Sequence, residues 1–353
     1  MIFARATYLL ALMPTLQRGR PGSLSVPVYL GDALQWNARR FMSLQDLEIV
    51  VPAQGESVRG EGGTISIDDS DKRVILRFPL SLASQPGLYD AALGEMLNLA
   101  ERDQPVAALL GWLGRHGIQA RSDTEMLGQT YEAFRALQKQ GRNHVWGYVA
   151  RNLSRPIWLA SETQKADVVV GNPPWLDYRA MNSTTQKRFR EEMKATGLWE
   201  SKTHGAAFDL SAYFFARSVD LYMRRSGRIA FVMPYAAMTR KSYKPFRRGA
   251  FRVAGYVEAQ VRFTDAWAFP SDVEPLFRVP SCVLFAERAR LPEGLPQQVH
   301  FFSGHLPRRD AQAQEARAKL SELLSLGQTM RMRGSAPPTA RDSAQERNWT
   351  HVA

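Results

Sequence analysis

The segment Ala166-Asp-Val-Val-Val-Gly171 constrains the fold more than any other part of the chain. Three consecutive β-branched residues make a stiff, extended, apolar run. The next residues are Asn172-Pro173-Pro174-Trp175. Two prolines in a row fix φ and remove two N–H donors, so the strand must stop there in a tight turn. A short strand without polar alternation suits a buried position in a layered sheet.

The rest of the chain alternates in the same sense. Apolar spacings of three and four predict helices from Leu88 to Leu153, through Leu93, Met96, Leu97 and Ala100 and then Tyr131, Phe134 and Leu137. Charged residues from Thr184 to Thr196 and amphipathic residues from Phe208 to Arg225 predict two more, with Gly227 read as the C-cap of the second. Strands are expected at Val26–Leu30, Arg228–Pro234, Tyr256–Phe263 and Cys282–Ala286. A hairpin is expected from Thr64–Ile67 and Arg73–Phe78 around Asp68–Asp71. Residues 3–16 read as a short buried helix, because the only early cation is Arg5 and no small-residue cleavage site follows. Residues 311–326 suggest a surface helix, and the Ser-, Ala-, Pro- and Arg-rich stretch past Gly327 reads as disordered. Strands interleaved with helices define an α/β layered sheet. Ligands of such sheets bind at the carboxyl ends of the strands, where Gly31-Asp32 and Gly171-Asn172 both fall.

With 353 residues and 44% hydrophobic content the chain has enough material for two domains, or for one with a large insertion. The single cysteine, Cys282, excludes an internal disulfide, a CxxC pair and a cysteine-based zinc site. No apolar run reaches the roughly 18 residues that span a bilayer. A cytoplasmic protein without a metal or membrane partner is therefore expected. The formal net charge is +12 and the pI about 10.0, which favours a polyanionic partner. Nine cations and no acid occur between Arg224 and Arg252, interleaved with Tyr235, Tyr243 and Phe246. Within this run Arg240, Lys241, Lys244, Arg247 and Arg248 follow a strand end and are the candidate phosphate contacts. A solvated face is the plainer explanation of such a run.

The loop Asn172–Trp175 carries the chemistry. Prolines leave carbonyl oxygens without competing donors, and the Asn172 side chain adds another acceptor. Two acceptors converging on one point suit a substrate NH₂, and Trp175 offers a flat apolar face beside it. The exocyclic amine of a planar base is a weak nucleophile because its lone pair is delocalised into the ring. Holding its hydrogens on two acceptors favours a more tetrahedral nitrogen aimed at an electrophile, so the protein's contribution is orientation and electrostatics. A base in duplex DNA must be flipped out to reach such a loop. The structural alternative is a turn with an aromatic plug.

This string resembles the (N/D)PP(Y/F/W) motif of amino-group methyltransferases. Its surroundings resemble the large N6-adenine DNA methyltransferases of bacterial restriction-modification and phage-defence systems. Further segments agree: Gly31-Asp32-Ala33-Leu34, Gly141-Arg-Asn-His-Val-Trp146, Phe208-Asp-Leu-Ser-Ala-Tyr-Phe-Phe215 and Gly227-Arg-Ile-Ala-Phe-Val-Met-Pro234. The resemblance spans roughly residues 1–290. It implies a doubly wound, Rossmann-like α/β fold that uses S-adenosylmethionine on DNA. Asn172, Pro173, Pro174 and Trp175 would then be catalytic, and Asp32, Ala33 and Asn172 would contact the cofactor.

One part of the family pattern is missing. The family's Gly-rich turn, (D/N/S)PxxGxGxF, should precede Asp32, and the 31 residues before it contain no such turn. Gly60-Glu-Gly-Gly63 sits in the expected hairpin and is no substitute. The resemblance therefore implies a core that is incomplete at its N-terminus, inactive alone or completed by a separate chain or a restriction or defence subunit. The implied layout is a core remnant at 1–39, an insertion with hairpin and helices at 40–160, the catalytic core at 161–290, and a surface helix and tail at 291–353. A non-catalytic DNA-binding remnant and an RNA or protein-glutamine methyltransferase remain as alternatives.

Overall fold

The computed structural model describes residues 46–51, 74–141, 143–199, 208–253, 257–269, 273–274, 279–302, 304–305 and 328–331. It also describes short pieces before residue 35 and between residues 312 and 322. The chain divides into two compact units, Met1–Ser161 and Glu162–Ala353.

In the first unit, β1 (Asp46–Val51) pairs antiparallel with β2 (Val74–Pro79), from Asp46 opposite Pro79 to Val51 opposite Val74. The partner of 74–79 is 46–51, while residues 64–67 lie outside the described residues. A short helix α1 (Leu80–Ala83) leads into α2 (Pro86–Glu101), α3 (Val106–Arg115), α4 (Arg121–Lys139) and α5 (Asn143–Leu159). The 3.6-residue periodicity predicts this helical run because each helix buries one stripe. Leu93 and Met96 of α2 meet Phe134 and Leu137 of α4 in a core shared with Leu76 and Phe78 of β2. Thr130 completes the outer edge of β2: its hydroxyl accepts from Arg77 N at 2.9 Å and donates to Arg77 O at 2.6 Å.

The second unit is an α/β sheet, as the strand and helix alternation requires. β3 (Ala166–Gly171) is followed by α6 (Ser183–Ala195) and α7 (Leu210–Leu221), and then by β4 (Met223–Pro234) parallel to β3. Short helices α8 (Ala236–Thr239) and α9 (Lys244–Arg247) lead to β5 (Ala250–Val253) and β6 (Val257–Phe269). A two-residue strand β7 (Val273–Glu274) precedes β8 (Ser281–Arg288) and β9 (Gln298–Phe301). β10 (Gly304–His305) pairs with β7, and β11 (Gln328–Arg331) pairs antiparallel with β9. The main sheet runs β11-β9-β6-β8-β4-β3, with β5 added to β6, and β8 lies antiparallel between β4 and β6.

Two expectations change at this level. Gly227 is not a helix cap: α7 ends at Leu221 with Tyr222 as its cap, and Gly227 is inside β4. The register explains the glycine. From the Ala166–Met223 pair to the Val168–Arg228 pair, β3 advances two residues and β4 five. Gly227 stands in that excess, where a Cβ would lie 2.5 Å from Met223 Cγ and 3.2 Å from Ala166 O. The tail past Gly327 is not wholly irregular either, since Gln328–Arg331 form β11. Most of the 311–326 helix lies outside the described residues.

The core beneath the sheet is aromatic. Phe215 of α7 packs against Phe231, Phe246, Phe251 and Phe263, at centroid distances of 5.6, 5.2, 6.1 and 5.8 Å. This cluster fixes α7 and the segment after β4 on the sheet. β3 is treated differently. Among the described residues it ends the sheet, and Val168 and Val170 are 62% and 72% exposed. A valine run that reads as a buried strand is open along one side.

Candidate functional site

β3 and β4 are parallel, so the residues that follow them emerge at one edge of the sheet. Asn172–Trp175 leaves β3 there, and Tyr235–Arg248 leaves β4. Gly171 permits the first exit, because a Cβ would stand 3.1 Å from the Phe231 ring of β4. Asn172 and Pro174 are exposed, Pro173 is buried, and Trp175 is half-buried. The indole N–H of Trp175 donates to Val232 O in β4 at 3.3 Å. The ring is thus tied to the strand next door.

The loop is held again just beyond Trp175. Tyr178 N donates to Phe208 O at 2.9 Å, and Leu210 N donates to Leu176 O at 3.0 Å. These bonds set Asp177 opposite Asp209 as an isolated antiparallel bridge. Asp177 caps the single turn Tyr178–Ala180 by accepting from Arg179 N at 2.8 Å. Tyr178 is buried, stacked at an edge on Trp199, and its hydroxyl bonds Arg190. These contacts give Asp177 and Tyr178 a role in loop structure.

Asp209 is the site residue that sequence reasoning missed. It is the N-cap of α7, and its carboxylate accepts from Ser211 N at 2.8 Å and from the Ser211 hydroxyl. The other carboxylate oxygen accepts from the Tyr243 hydroxyl. Burial raises the Asp209 pKa above the ordinary carboxylate value against the opposing pull of these donors. Burial and the nearby carboxylate push Tyr243 well up. The cap itself was readable from an Asp standing before an apolar helix. The tyrosine partner, 34 residues on, was not.

The cations after β4 do not form one surface. Arg240, Lys241, Lys244 and Arg248 are exposed at the edge that bears the Asn172–Trp175 loop. Arg247 is half-buried, and its Nη1 donates to Arg240 O at 2.8 Å and Ala237 O at 3.2 Å. Burial lowers its pKa to about 10, so it stays charged at neutral pH while bracing its own turn. Arg224, Arg225 and Arg228 lie in the first half of β4, roughly 20–30 Å of strand from its carboxyl end. Arg224 pairs there with Asp167 at 3.1 Å. The charge run that looks continuous in sequence is therefore divided between the two ends of a strand.

Asp32 lies outside the described residues, and Ala33 is part of a turn in the first unit. Of the residues expected to hold a methyl donor, only Asn172 is described in the second unit. The described residues of that unit do not make up a donor site. Among the described residues no helix is long and apolar enough to cross a membrane.

Residues 117–256 match the Eco57I restriction-modification methylase family, a span that contains the Asn172–Trp175 loop, α7, β4 and the exposed cations. No curated protein matches the chain. Solved structures similar to it include a DrdV–DNA complex, at 15% identity and a TM-score of 0.33, covering 53% of this chain and 19% of that one. Another is a modification subunit of a putative type I restriction enzyme from Vibrio vulnificus YJ016, at 13% identity and 0.30, covering 58% and 49%. A third is a putative class I S-adenosylmethionine-dependent methyltransferase from Listeria monocytogenes, at 14% and 0.29, covering 56% and 60%. The chain spans less than two thirds of the length of each of these structures.

Proposed function

We propose that this chain supplies the target-base side of a restriction-modification DNA methyltransferase that transfers a methyl group from S-adenosylmethionine to N6 of an extruded adenine. One observation carries the reading: an Asn-Pro-Pro-Trp loop leaves the carboxyl end of β3 with its indole tied to β4. Beside it, at the same edge, are four exposed cations. In this reading Asn172 and the Pro173 carbonyl accept from the amine, and Trp175 stacks on the base. Arg240, Lys241, Lys244 and Arg248 hold backbone phosphates. The match of residues 117–256 to a restriction-modification methylase family supports the assignment.

The open side of β3 supports a second element of the proposal. Parallel strands of doubly wound sheets are covered on both faces. Among the described residues β3 ends the sheet, which favours a further strand beside it that brings the methyl-donor turn and comes from another segment or chain; exposed Val168 and Val170 favour a covering layer on that face. Without it, the chain binds DNA and does not methylate it.

The test is to incubate the protein with methyl-labelled S-adenosylmethionine and, in parallel, duplex DNA, structured RNA or a glutamine-bearing protein acceptor, with and without a polypeptide bearing a Gly-rich donor turn. The DNA is then digested to nucleosides. Label in N6-methyladenine that disappears in Asn172→Ala is the expected result. Label in structured RNA or on protein glutamine, with none in DNA, would overturn the assignment. Salt-sensitive DNA binding with no label under either condition would leave the non-catalytic alternative.

A further inference from the structure

The Asp209 carboxylate does more than cap a helix. One oxygen accepting from Ser211 N satisfies the cap, and a serine, threonine or asparagine would do the same without burying charge. The second oxygen takes the hydroxyl of Tyr243, a residue with no exposed surface that lies between the exposed Lys241 and Lys244. The backbone on either side of Asp209 is bonded to Leu176 and Tyr178, directly after Trp175. The ring of Phe208 completes the connection by packing on Tyr243 at 5.4 Å. One buried side chain thus joins the loop that carries the aromatic platform to the turn that carries the cations.

We infer that Asp209 is a positioning residue that, through Tyr243, sets the Trp175 platform at a fixed distance from the phosphate-binding turn. The inference rests on the base-platform reading above. Phosphate contacts locate the strand, and the base can stack only if the platform is held at the matching distance. Loosening the Asp209–Tyr243 link leaves attraction to nucleic acid intact and impairs seating of the base.

The experiment uses a short single-stranded thymidine oligonucleotide with one central 2-aminopurine and a dye at its end. Dye anisotropy reports binding, and quenching of 2-aminopurine reports stacking of the base. The proteins are wild type, Asp209→Asn, Tyr243→Phe and Trp175→Ala, each checked by thermal melting. In Trp175→Ala the stacked-to-unstacked ratio falls by about tenfold, the worth of one base–aromatic contact. Asp209→Asn and Tyr243→Phe lower the same ratio by about threefold or more, with the salt slope of binding unchanged. Wild-type quenching in both variants, with Trp175→Ala still deficient, would overturn the positioning role alone. Equal quenching by wild type and Trp175→Ala would overturn the platform reading and this inference with it. Either of the two variants that melts as the wild type does suffices for the comparison.

Discussion

The indole N–H of Trp175 donates to the carbonyl of Val232, so the aromatic residue of the loop after β3 is anchored to β4 two residues before that strand ends. A single hydrogen bond of this kind contributes about 1 kcal/mol, and its main effect is to restrict the ring to one orientation. Trp175→Phe keeps an aromatic face and loses the anchor, whereas Trp175→Ala loses both. Affinity for single-stranded DNA should fall by about 1–3 kcal/mol in Trp175→Ala and by less in Trp175→Phe. Equal affinities in a fluorescence titration would show that the ring does not meet a base.

The two kinds of cation after β4 should respond differently to removal. Replacing Arg240, Lys241, Lys244 or Arg248 by alanine should reduce the slope of log K against log salt by about 1 each, with little change in melting. Arg247→Ala should instead lower stability by about 1–3 kcal/mol, because the carbonyl of Ala237 loses the guanidinium and that of Arg240 keeps only the Tyr243 N–H. Salt titrations and denaturant melts of the five single variants separate the groups. An Arg247→Ala protein with wild-type stability and a weaker salt slope would reverse its assignment.

A terminal strand that also exposes valines on one face favours association with other chains. Val168→Lys or Val170→Lys places a charge on the exposed face without removing a buried contact. Sedimentation velocity on the isolated chain should show less self-association in either variant, with the melting temperature retained. Association that is unchanged would mean that β3 is not the adhesive edge.

Gly249 and Gly117 both have positive φ, at +71° and +78°, yet their surroundings differ. At Gly117 a Cβ meets nothing within 4 Å, so Gly117→Ala should cost about 1–2 kcal/mol from backbone strain. At Gly249 the Cβ would lie 2.5 Å from Val261 O, which is backbone and cannot turn aside. Gly249→Ala should therefore be the more destabilising by a clear margin in urea melts, and equal costs would contradict the geometry.

The raised pKa of Asp209 has a definite sign in stability. Between the ordinary carboxylate value of about 4 and the raised folded value, the folded chain binds more protons than the unfolded one. Asp209 therefore costs stability as pH rises through that window, and the cost persists above it. Asp209→Asn removes the charge that burial opposes. Relative to the variant, the wild type should lose stability as pH is raised from the acid side, as read from urea midpoints. The opposite slope would mean that the carboxylate is better stabilised folded than unfolded.

Much of this architecture is legible in residue patterns, and the rest fails for identifiable reasons. Helices α2 to α5 follow from apolar spacing because each buries a single stripe, and α6 from its run of charged residues. β3 and β8 follow from short apolar runs bounded by Gly, Pro or Ser. Gly227 misleads because a glycine after an amphipathic helix has the form of a C-cap, and only the register against β3 shows it inside a strand. The pairing of β2 with 46–51 is not readable because residues 46–51 and 64–67 both read as extended, and pairing is a tertiary choice. The place of the Asn172–Trp175 loop at a strand end is readable. Its anchors at Val232 and, through Asp209, at Tyr243 are not, since they join residues far apart in sequence.

In the proposed function the Asn172–Trp175 loop receives a base taken out of the helix. The most direct measurement compares the binding of two duplexes that differ only in whether one central adenine is paired or mismatched. Extrusion of a mismatched base saves up to a few kcal/mol of unpairing. The wild type should bind the mismatched duplex about tenfold more tightly, and Trp175→Ala should lose the preference. Equal affinity of the wild type for both duplexes would contradict the proposed function.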